Sequence, residues 1–158
     1  FSHRLGQMLA LNQQSASILE LEVTETFLME DINRSALLLD HLQELGCHLA
    51  MDDFGTGYSS LAYLAKLPVQ VLKLDRSLVL DLEDSPQSAS MVRHMIRMAH
   101  ELDMEVVAEG IESLGQVEIL RDLQCDMVQG YVYSQPITAA EFADIVRLQP
   151  YRKARGTS

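Results

Sequence analysis

The sequence has few basic residues, no long apolar run and no signal-peptide pattern. Lys and Arg number 12 against 23 Asp and Glu, which gives a formal net charge of -11 at pH 7. Binding along a nucleic acid needs a basic surface, so this charge disfavours long nucleic acid as a partner. No stretch approaches the roughly 18 apolar residues of a membrane span, and the N-terminus lacks a basic and then apolar segment. We therefore expect a cytoplasmic protein.

Cysteine is also scarce. Cys47 and Cys125 are far apart in the sequence, without the paired-cysteine or Cys/His spacing of a metal site. We expect reduced, buried thiols. The five histidines are scattered without a two-ligand spacing, which favours surface or packing roles over catalysis. What the chain does contain is 158 residues with 47% hydrophobic content, enough for the core of one domain.

Strand-like and helix-like stretches alternate along the chain, which predicts βα units around a parallel sheet. The predicted strands are 18–24, 47–52, 69–75, 104–109 and 127–133. The helices predicted to follow them are 33–45, 59–67, 86–102, 114–123 and 139–148. A further helix is predicted over 1–11, ahead of the first strand.

The helix over 33–45 has both end signals and an apolar face. Asn33 is predicted to cap its start and Gly46 to end it. The side chains predicted to share the buried face are Leu37, Leu38, Leu42 and Leu45.

Five βα units match most of a TIM-like (β/α) barrel, in which active sites lie at the C-terminal ends of the strands. The alternative is a flavodoxin-like open sheet, which also has five parallel strands but gathers its site at one crevice. The barrel is favoured because polar residues follow several separate strands. Eight strands are needed to close such a barrel, so we expect one that is incomplete at the N-terminus. It would comprise residues 1–150, with 151–158 as a disordered tail.

Acidic residues stand at the ends of three predicted strands. Asp52 and Asp53 precede a glycine-rich loop, and Glu22 and Glu109 end other apolar runs. Neighbours on a regular strand point to opposite faces, so Asp52 and Asp53 can share a site only if the strand bends there. Hard cations such as Mg²⁺ take oxygen ligands, and a pair of them can activate water and stabilise phosphate oxygens. The pattern therefore indicates a divalent-metal site.

Lys73 alternates with Leu72 and Leu74, so its amine is predicted to point away from the leucines, into the mouth of the barrel. A lysine among carboxylates can hold water or a phosphate oxygen as a point charge. The alternative is a buried ion pair between Lys73 and Asp75. Glu112 has two interpretations as well, as a site residue or as the cap of the helix that begins near residue 113.

In this order, the polar segments resemble the motif series of the EAL domain. The motifs are Glu22-Val-Thr-Glu25, Asp52-Asp-Phe-Gly-Thr-Gly-Tyr-Ser-Ser60, Lys73-Leu-Asp75, Glu109-Gly-Ile-Glu112 and Gln129-Gly-Tyr131. The resemblance covers roughly residues 3–148. It implies a TIM-like barrel that hydrolyses cyclic di-GMP to linear pGpG with two Mg²⁺ or Mn²⁺ ions.

The resemblance also implies roles for single residues. The residues that match metal ligands are Glu22, Asp52, Asp53 and Glu109, with Asp53 expected to contact both ions. Lys73 matches the lysine that positions the hydrolytic water.

Other matches concern support of the site. Glu25 matches the glutamate that anchors the loop over 53–60, which in this family links the site to a dimer interface. Glu112 and Gln129 match residues that support the substrate and the metal shell. Asp75, the acid of the Lys-x-Asp motif, and Gly130 are candidate cofactor-binding residues.

The family's Glu-Ala-Leu signature and a following metal-binding Asn belong upstream of Phe1 and do not occur in this sequence. We therefore expect a C-terminal piece of an EAL domain that is inactive or severely impaired alone. The parent is expected to be a homodimeric signalling protein with an upstream GGDEF or sensor domain, or a tether to the inner membrane. The alternatives are a non-catalytic cyclic di-GMP receptor or regulatory interaction domain, and a fragment that binds nothing.

Overall fold

Five parallel strands form one sheet in which each strand pairs with its neighbour in sequence. The computed structural model describes residues 1–55 and 64–148, without the side chains of residues 29 and 30. The strands are β1 (Glu20–Thr24), β2 (His48–Phe54), β3 (Val71–Leu74), β4 (Glu105–Ala108) and β5 (Met127–Val128). Their order, β1-β2-β3-β4-β5, confirms the barrel-type α/β fold and rules out the flavodoxin-like order, in which β1 would lie between β2 and β3. Within the described residues the sheet is open, with β1 and β5 at its edges.

Helices precede, separate and follow the strands. They are α1 (Ser2–Leu11), α2 (Glu25–Glu30), α3 (Ile32–Glu44), α4 (Arg76–Val79), α5 (Pro86–Glu101), α6 (Leu114–Asp122) and α7 (Ala139–Leu148). The short helices α2 and α4 are not among the sequence predictions. The first part of the predicted helix 59–67 and the predicted tail 151–158 lie outside the described residues. Over residues 1–55 and 64–148, no helix combines the length and apolar character needed to cross a membrane.

The fifth predicted strand is wrong in its length, because β5 ends at Val128 instead of Tyr133. Val132 N donates to Ile111 O over 3.0 Å, and Tyr133 N donates to Gly130 O over 3.2 Å. The chain therefore turns across the segment that follows β4. A Cβ atom on Gly130 would overlap the backbone of Ile111, so this close approach requires glycine.

Helix α3 corrects two further predictions. Its cap is Asp31, whose side chain accepts a backbone hydrogen bond from the first turn, and not Asn33. Gly46 ends the helix with φ at 94°, as predicted. The predicted apolar face is partly wrong, since Leu39 is fully buried whereas Leu37 is 61% exposed.

The main core lies between the sheet and the helices. Alternate residues of β3, Leu72 and Leu74, are buried in this core together with Ile96 of α5. Val71, on the other face of the strand, belongs to a small second cluster. Lys73 shares that second face, which confirms that its side chain points away from the leucines.

Candidate active site

Lys73 lies among three carboxylates that different strands provide. Its Nζ atom is 2.5 Å from Glu22 Oε1, 2.7 Å from Glu109 Oε1 and 3.5 Å from Asp52 Oδ1. Glu22 is on β1, Asp52 is on β2, and Glu109 directly follows β4. The parallel sheet thus brings together four of the predicted site residues. The alternative ion pair with Asp75 is wrong, because these three acids are the ion-pair partners of Lys73.

The ammonium group of Lys73 is held in its charged form. Its side chain is only 7% exposed, and this burial tends to lower the pKa. Hydrogen bonds with Glu109 and Glu22 and the charge of Asp52 outweigh burial and raise the pKa well above its ordinary value. Lys73 is therefore a fixed cation and hydrogen-bond donor at neutral pH, and not a base.

Strand β2 bends at its paired aspartates, as predicted. Its register with β3 shifts between Met51 and Phe54, and Asp53 has φ at 55°. The side chain of Asp52 is half-buried, and that of Asp53 is exposed. The bend interrupts the regular alternation that would otherwise send the two carboxylates to opposite faces.

The donor groups around Lys73 fit a hard divalent cation in their chemistry. Asp52 Oδ1 is buried and makes no hydrogen bond within the described part of the chain, so it is an acceptor that a cation would satisfy. Glu22 and Glu109 add further carboxylate oxygens. Among residues 1–55 and 64–148, no three acidic, histidine or cysteine side chains are arranged to hold a metal ion. Lys73 instead balances part of the negative charge of the three acids in this arrangement.

Glu25 connects the end of β1 to the turn after β2. It is the first residue of α2, which Thr24 caps, and its side chain is buried. Its Oε2 atom accepts a hydrogen bond from Gly55 N over 3.4 Å. Gly55 has φ at 98°, a conformation that favours glycine, and an added Cβ atom there would require the side chain of Leu78 to shift. The carboxylate thus holds the first residue after β2, while 56–63 lie outside the described residues.

A cavity of about 240 Å³ contains the remaining predicted residues at the ends of β4 and β5. Its lining consists of Arg76, Glu109, Gly110, Glu112, Gln129, Gly130 and Tyr131. Glu109 both lines this cavity and contacts Lys73, so the two parts of the site are adjacent. Two larger cavities, one beside α1 and one beside α5, are not lined by any of the predicted site residues.

Asp75 is bound to the backbone of its own turn. Its Oδ1 atom accepts a hydrogen bond from Ser77 N over 2.9 Å and caps α4. Hydrogen bonds from Ser77, through its side chain and its backbone, hold the pKa of this carboxyl below its usual value.

Sequence reasoning missed Arg76. Its Nη2 atom is 2.8 Å from Glu112 Oε1, at the rim of the cavity. The interpretation of Glu112 as a helix cap is wrong, because Ser113 caps α6 in a capping box with Gln116. The available signal was the position of Arg76 directly after the Lys-x-Asp motif, where β3 ends.

The fold and the site define a barrel-type α/β domain with an acidic site at its strand ends. A profile of the EAL domain matches residues 1–136, and the chain belongs to the EAL domain family. This confirms the family that the motif series indicates.

Similar proteins and solved structures also support membership of the EAL family. The chain is 47% identical over 133 residues to cyclic di-GMP phosphodiesterase NbdA of Pseudomonas aeruginosa, a match that covers 84% of this chain and 17% of that protein. It resembles the solved PaMucR phosphodiesterase in complex with c-di-GMP, with a TM-score of 0.80 and 37% identity over 85% of this chain and 54% of the other. A manganese and c-di-GMP complex of BlrP1 from Klebsiella pneumoniae gives a TM-score of 0.79 and 31% identity, covering 85% of this chain and 34% of that one.

Proposed function

We propose that this chain is part of a domain that hydrolyses cyclic di-GMP to linear pGpG. The observation that carries the proposal is the contact of Lys73 with Glu22, Asp52 and Glu109, which come from three strand ends. Membership of the EAL family and the similarity to named cyclic di-GMP phosphodiesterases support the substrate. The chain spans less than a fifth of the length of NbdA, so activity is proposed for the longer protein.

The proposed reaction depends on two Mg²⁺ or Mn²⁺ ions, which supply an activated water and stabilise phosphate oxygens when bound. The residues proposed to hold them are Glu22, Asp52, Asp53 and Glu109. Lys73 is protonated, so it donates hydrogen bonds to water or to a phosphate oxygen and cannot take up a proton. Its role is to orient the nucleophile and to reduce the negative charge that a dianionic nucleotide meets.

Other residues are proposed to shape the site. Glu25 holds the turn after β2 through Gly55 N. Gly130 allows the close approach to the backbone of Ile111 that brings Gln129 to the cavity, where the amide offers both a donor and an acceptor. Asp75 fixes the turn into α4, beside the cavity.

The setting of the domain is proposed from its family. A cytoplasmic domain would meet its nucleotide substrate directly, and a homodimer with an upstream GGDEF or sensor domain would connect hydrolysis to a signal. The parent protein is proposed to be free or tethered to the inner membrane.

A second candidate is a receptor that binds cyclic di-GMP without cleaving it. The specific observation in its favour is that Lys73 already forms ion pairs with the acids, so that the charge of the site is partly balanced without metal. The two candidates differ in turnover and not in ligand.

The test is an incubation with cyclic di-GMP and Mn²⁺, followed by chromatography of the nucleotides. The 158-residue chain is compared with a longer chain that includes the family's Glu-Ala-Leu segment. We expect linear product from the longer chain and little or none from the shorter one. If neither chain forms product but both bind cyclic di-GMP, the receptor is correct and the phosphodiesterase proposal fails.

A further inference from the structure

Arg76 is in contact with the segment 109–112 at both ends of its side chain. The aliphatic stem lies over Gly110, where a Cβ atom would overlap Cβ, Cγ and Cδ of the arginine. The guanidinium group lies 2.8 Å from the carboxylate of Glu112. Gly110 has φ at 67°, a conformation that favours glycine, so the segment turns where the arginine stem crosses it.

A second contact joins the same segment to the other end of α4. Gln116 Oε1 accepts hydrogen bonds from Glu112 N over 2.9 Å and from Ser113 N over 3.2 Å. Its Nε2 atom donates to Val79 O over 3.1 Å, and the side chain is buried. Helix α4 therefore holds the segment through its first residue, Arg76, and through its last, Val79.

The two contacts differ in exposure and therefore in consequence. The side chains of Arg76 and Glu112 are 54% and 50% exposed, and exposed ion pairs add little to folding stability. The buried amide of Gln116 is the contact that supports the backbone. The consequence of the Arg76 contact is to fix the direction of the Glu112 carboxylate, at a cavity that Gln129 also lines.

We infer that Arg76 is a positioning residue for the nucleotide site. It holds Glu112, and with it the segment that begins at Glu109, in the orientation that the bound nucleotide requires. The inference rests on the proposed function, because it concerns the same site. It predicts that removal of the arginine impairs the site while the fold persists.

The test is a double-mutant cycle in the longer, active chain. Arg76→Ala, Glu112→Ala and the double variant are compared in kcat, KM and thermal midpoint. We expect each single variant to lower kcat/KM about tenfold, mainly through kcat. Without this ion pair the site no longer holds the nucleotide in the orientation that the reaction needs. The kcat/KM of the double variant should be no lower than that of the less active single variant, because both substitutions break the same contact. The thermal midpoint of Arg76→Ala should change by less than about 2 °C.

Two further variants complete the design. Arg76→Lys keeps the charge and most of the stem, and we expect it to recover part of the lost kcat/KM. Arg147→Ala removes an exposed arginine whose Nη1 atom is 3.4 Å from Asp144 on α7, away from the cavity, and should leave kcat/KM unchanged. Additive losses, or a normal kcat/KM in Arg76→Ala, would overturn the inference while the phosphodiesterase stands.

Failure of the proposed function has a different signature. If the unsubstituted longer chain binds cyclic di-GMP but does not cleave it, the phosphodiesterase proposal fails and the same cycle is measured in Kd by calorimetry. Non-additive losses of affinity then support Arg76 as the positioning residue, and additive or absent losses overturn it. If the unsubstituted chain binds no cyclic di-GMP, both proposals fail.

Discussion

Lys73 Nζ lies 2.7 Å from Glu109 Oε1, a contact that joins the end of β4 to the neighbouring strand β3. The same ammonium group contacts acids of β1 and β2, so one cation lies among carboxylates from the C-terminal ends of three strands. The strand ends are close enough for this only because the strands are parallel and pair in sequence order.

Gly130→Ala should destabilise the fold. The added Cβ atom would overlap the backbone of Ile111, which cannot move aside as a flexible side chain can. We expect the free energy of unfolding to fall by about 1–3 kcal/mol, as for other overpacked sites. Urea denaturation followed by circular dichroism measures this change.

Gly6→Ala is the matched control for this substitution. Gly6 lies inside α1, where an added Cβ atom would make ordinary contact with Leu45 Cδ2 at 3.4 Å. Alanine favours the helix over glycine, so we expect stability to stay equal or to rise by up to about 1 kcal/mol. Equal stability of Gly130→Ala and the unsubstituted chain would show that the turn after β5 does not require its close approach to the backbone of Ile111.

The fold was predictable from the sequence because its elements depend on local signals. Apolar runs ended by polar residues predict the parallel strands, and the glycine loop after Asp53 predicts the bend of β2. The helix predicted over 86–102 is confirmed as α5, which Ser85 caps. Such signals act within a few residues, where the sequence alone determines the geometry.

What could not be predicted depends on contacts between distant segments. The length of β5 is set by Gly130 against Ile111, which no local pattern indicates. Similarly, Arg76 meets Glu112 only because β3 and β4 are neighbours. Short helices such as α4 have too few residues to produce a clear apolar periodicity.

Acid should weaken the contacts that Asp126, the residue before β5, makes with α5 and β4. Its Oδ2 atom accepts from Val106 N over 2.8 Å and lies 2.8 Å from His100 Nε2. Burial raises the pKa of Asp126, but the hydrogen bonds from His100 and Val106 outweigh this effect and leave it lower than usual. The carboxylate thus stabilises the fold at pH values above its unfolded-state pKa. This stabilisation is lost as the pH falls through the lower pKa of the folded state.

The measurement is the thermal midpoint of Asp126→Asn and of the unsubstituted chain between pH 3 and pH 7. We expect the variant to be less stable at pH 7 and the difference to shrink toward pH 3. Asp122→Asn is the control, because that carboxylate is largely exposed beside Arg121, with Nε at 3.7 Å. A difference that is independent of pH would contradict the role of the Asp126 charge.

Cys125 should react slowly with alkylating reagents in the folded chain. It is a free thiol, as is Cys47; the prediction of burial holds for Cys47, whereas Cys125 is half-buried. Burial raises the pKa of Cys125 to about 11, against 9.0 for an unperturbed thiol, so the thiolate fraction at neutral pH falls about a hundredfold.

Alkylation by iodoacetamide in a Cys47→Ser background isolates this thiol. We expect its rate at pH 7.5 to be about a hundredfold lower in the folded chain than in urea, because the thiolate is the reactive form. Equal rates in the folded and unfolded chains would mean that Cys125 is not shielded.

The most direct test of the central claim is cyclic di-GMP hydrolysis by the longer chain with Lys73→Met, in the presence of Mn²⁺. Methionine keeps a similar stem and removes the charge that is proposed to orient the nucleophile, so we expect turnover to fall by about a hundredfold or more. Arg93→Met, which removes an exposed cation on α5, should retain full turnover. Normal turnover in Lys73→Met would contradict a catalytic site built around this lysine.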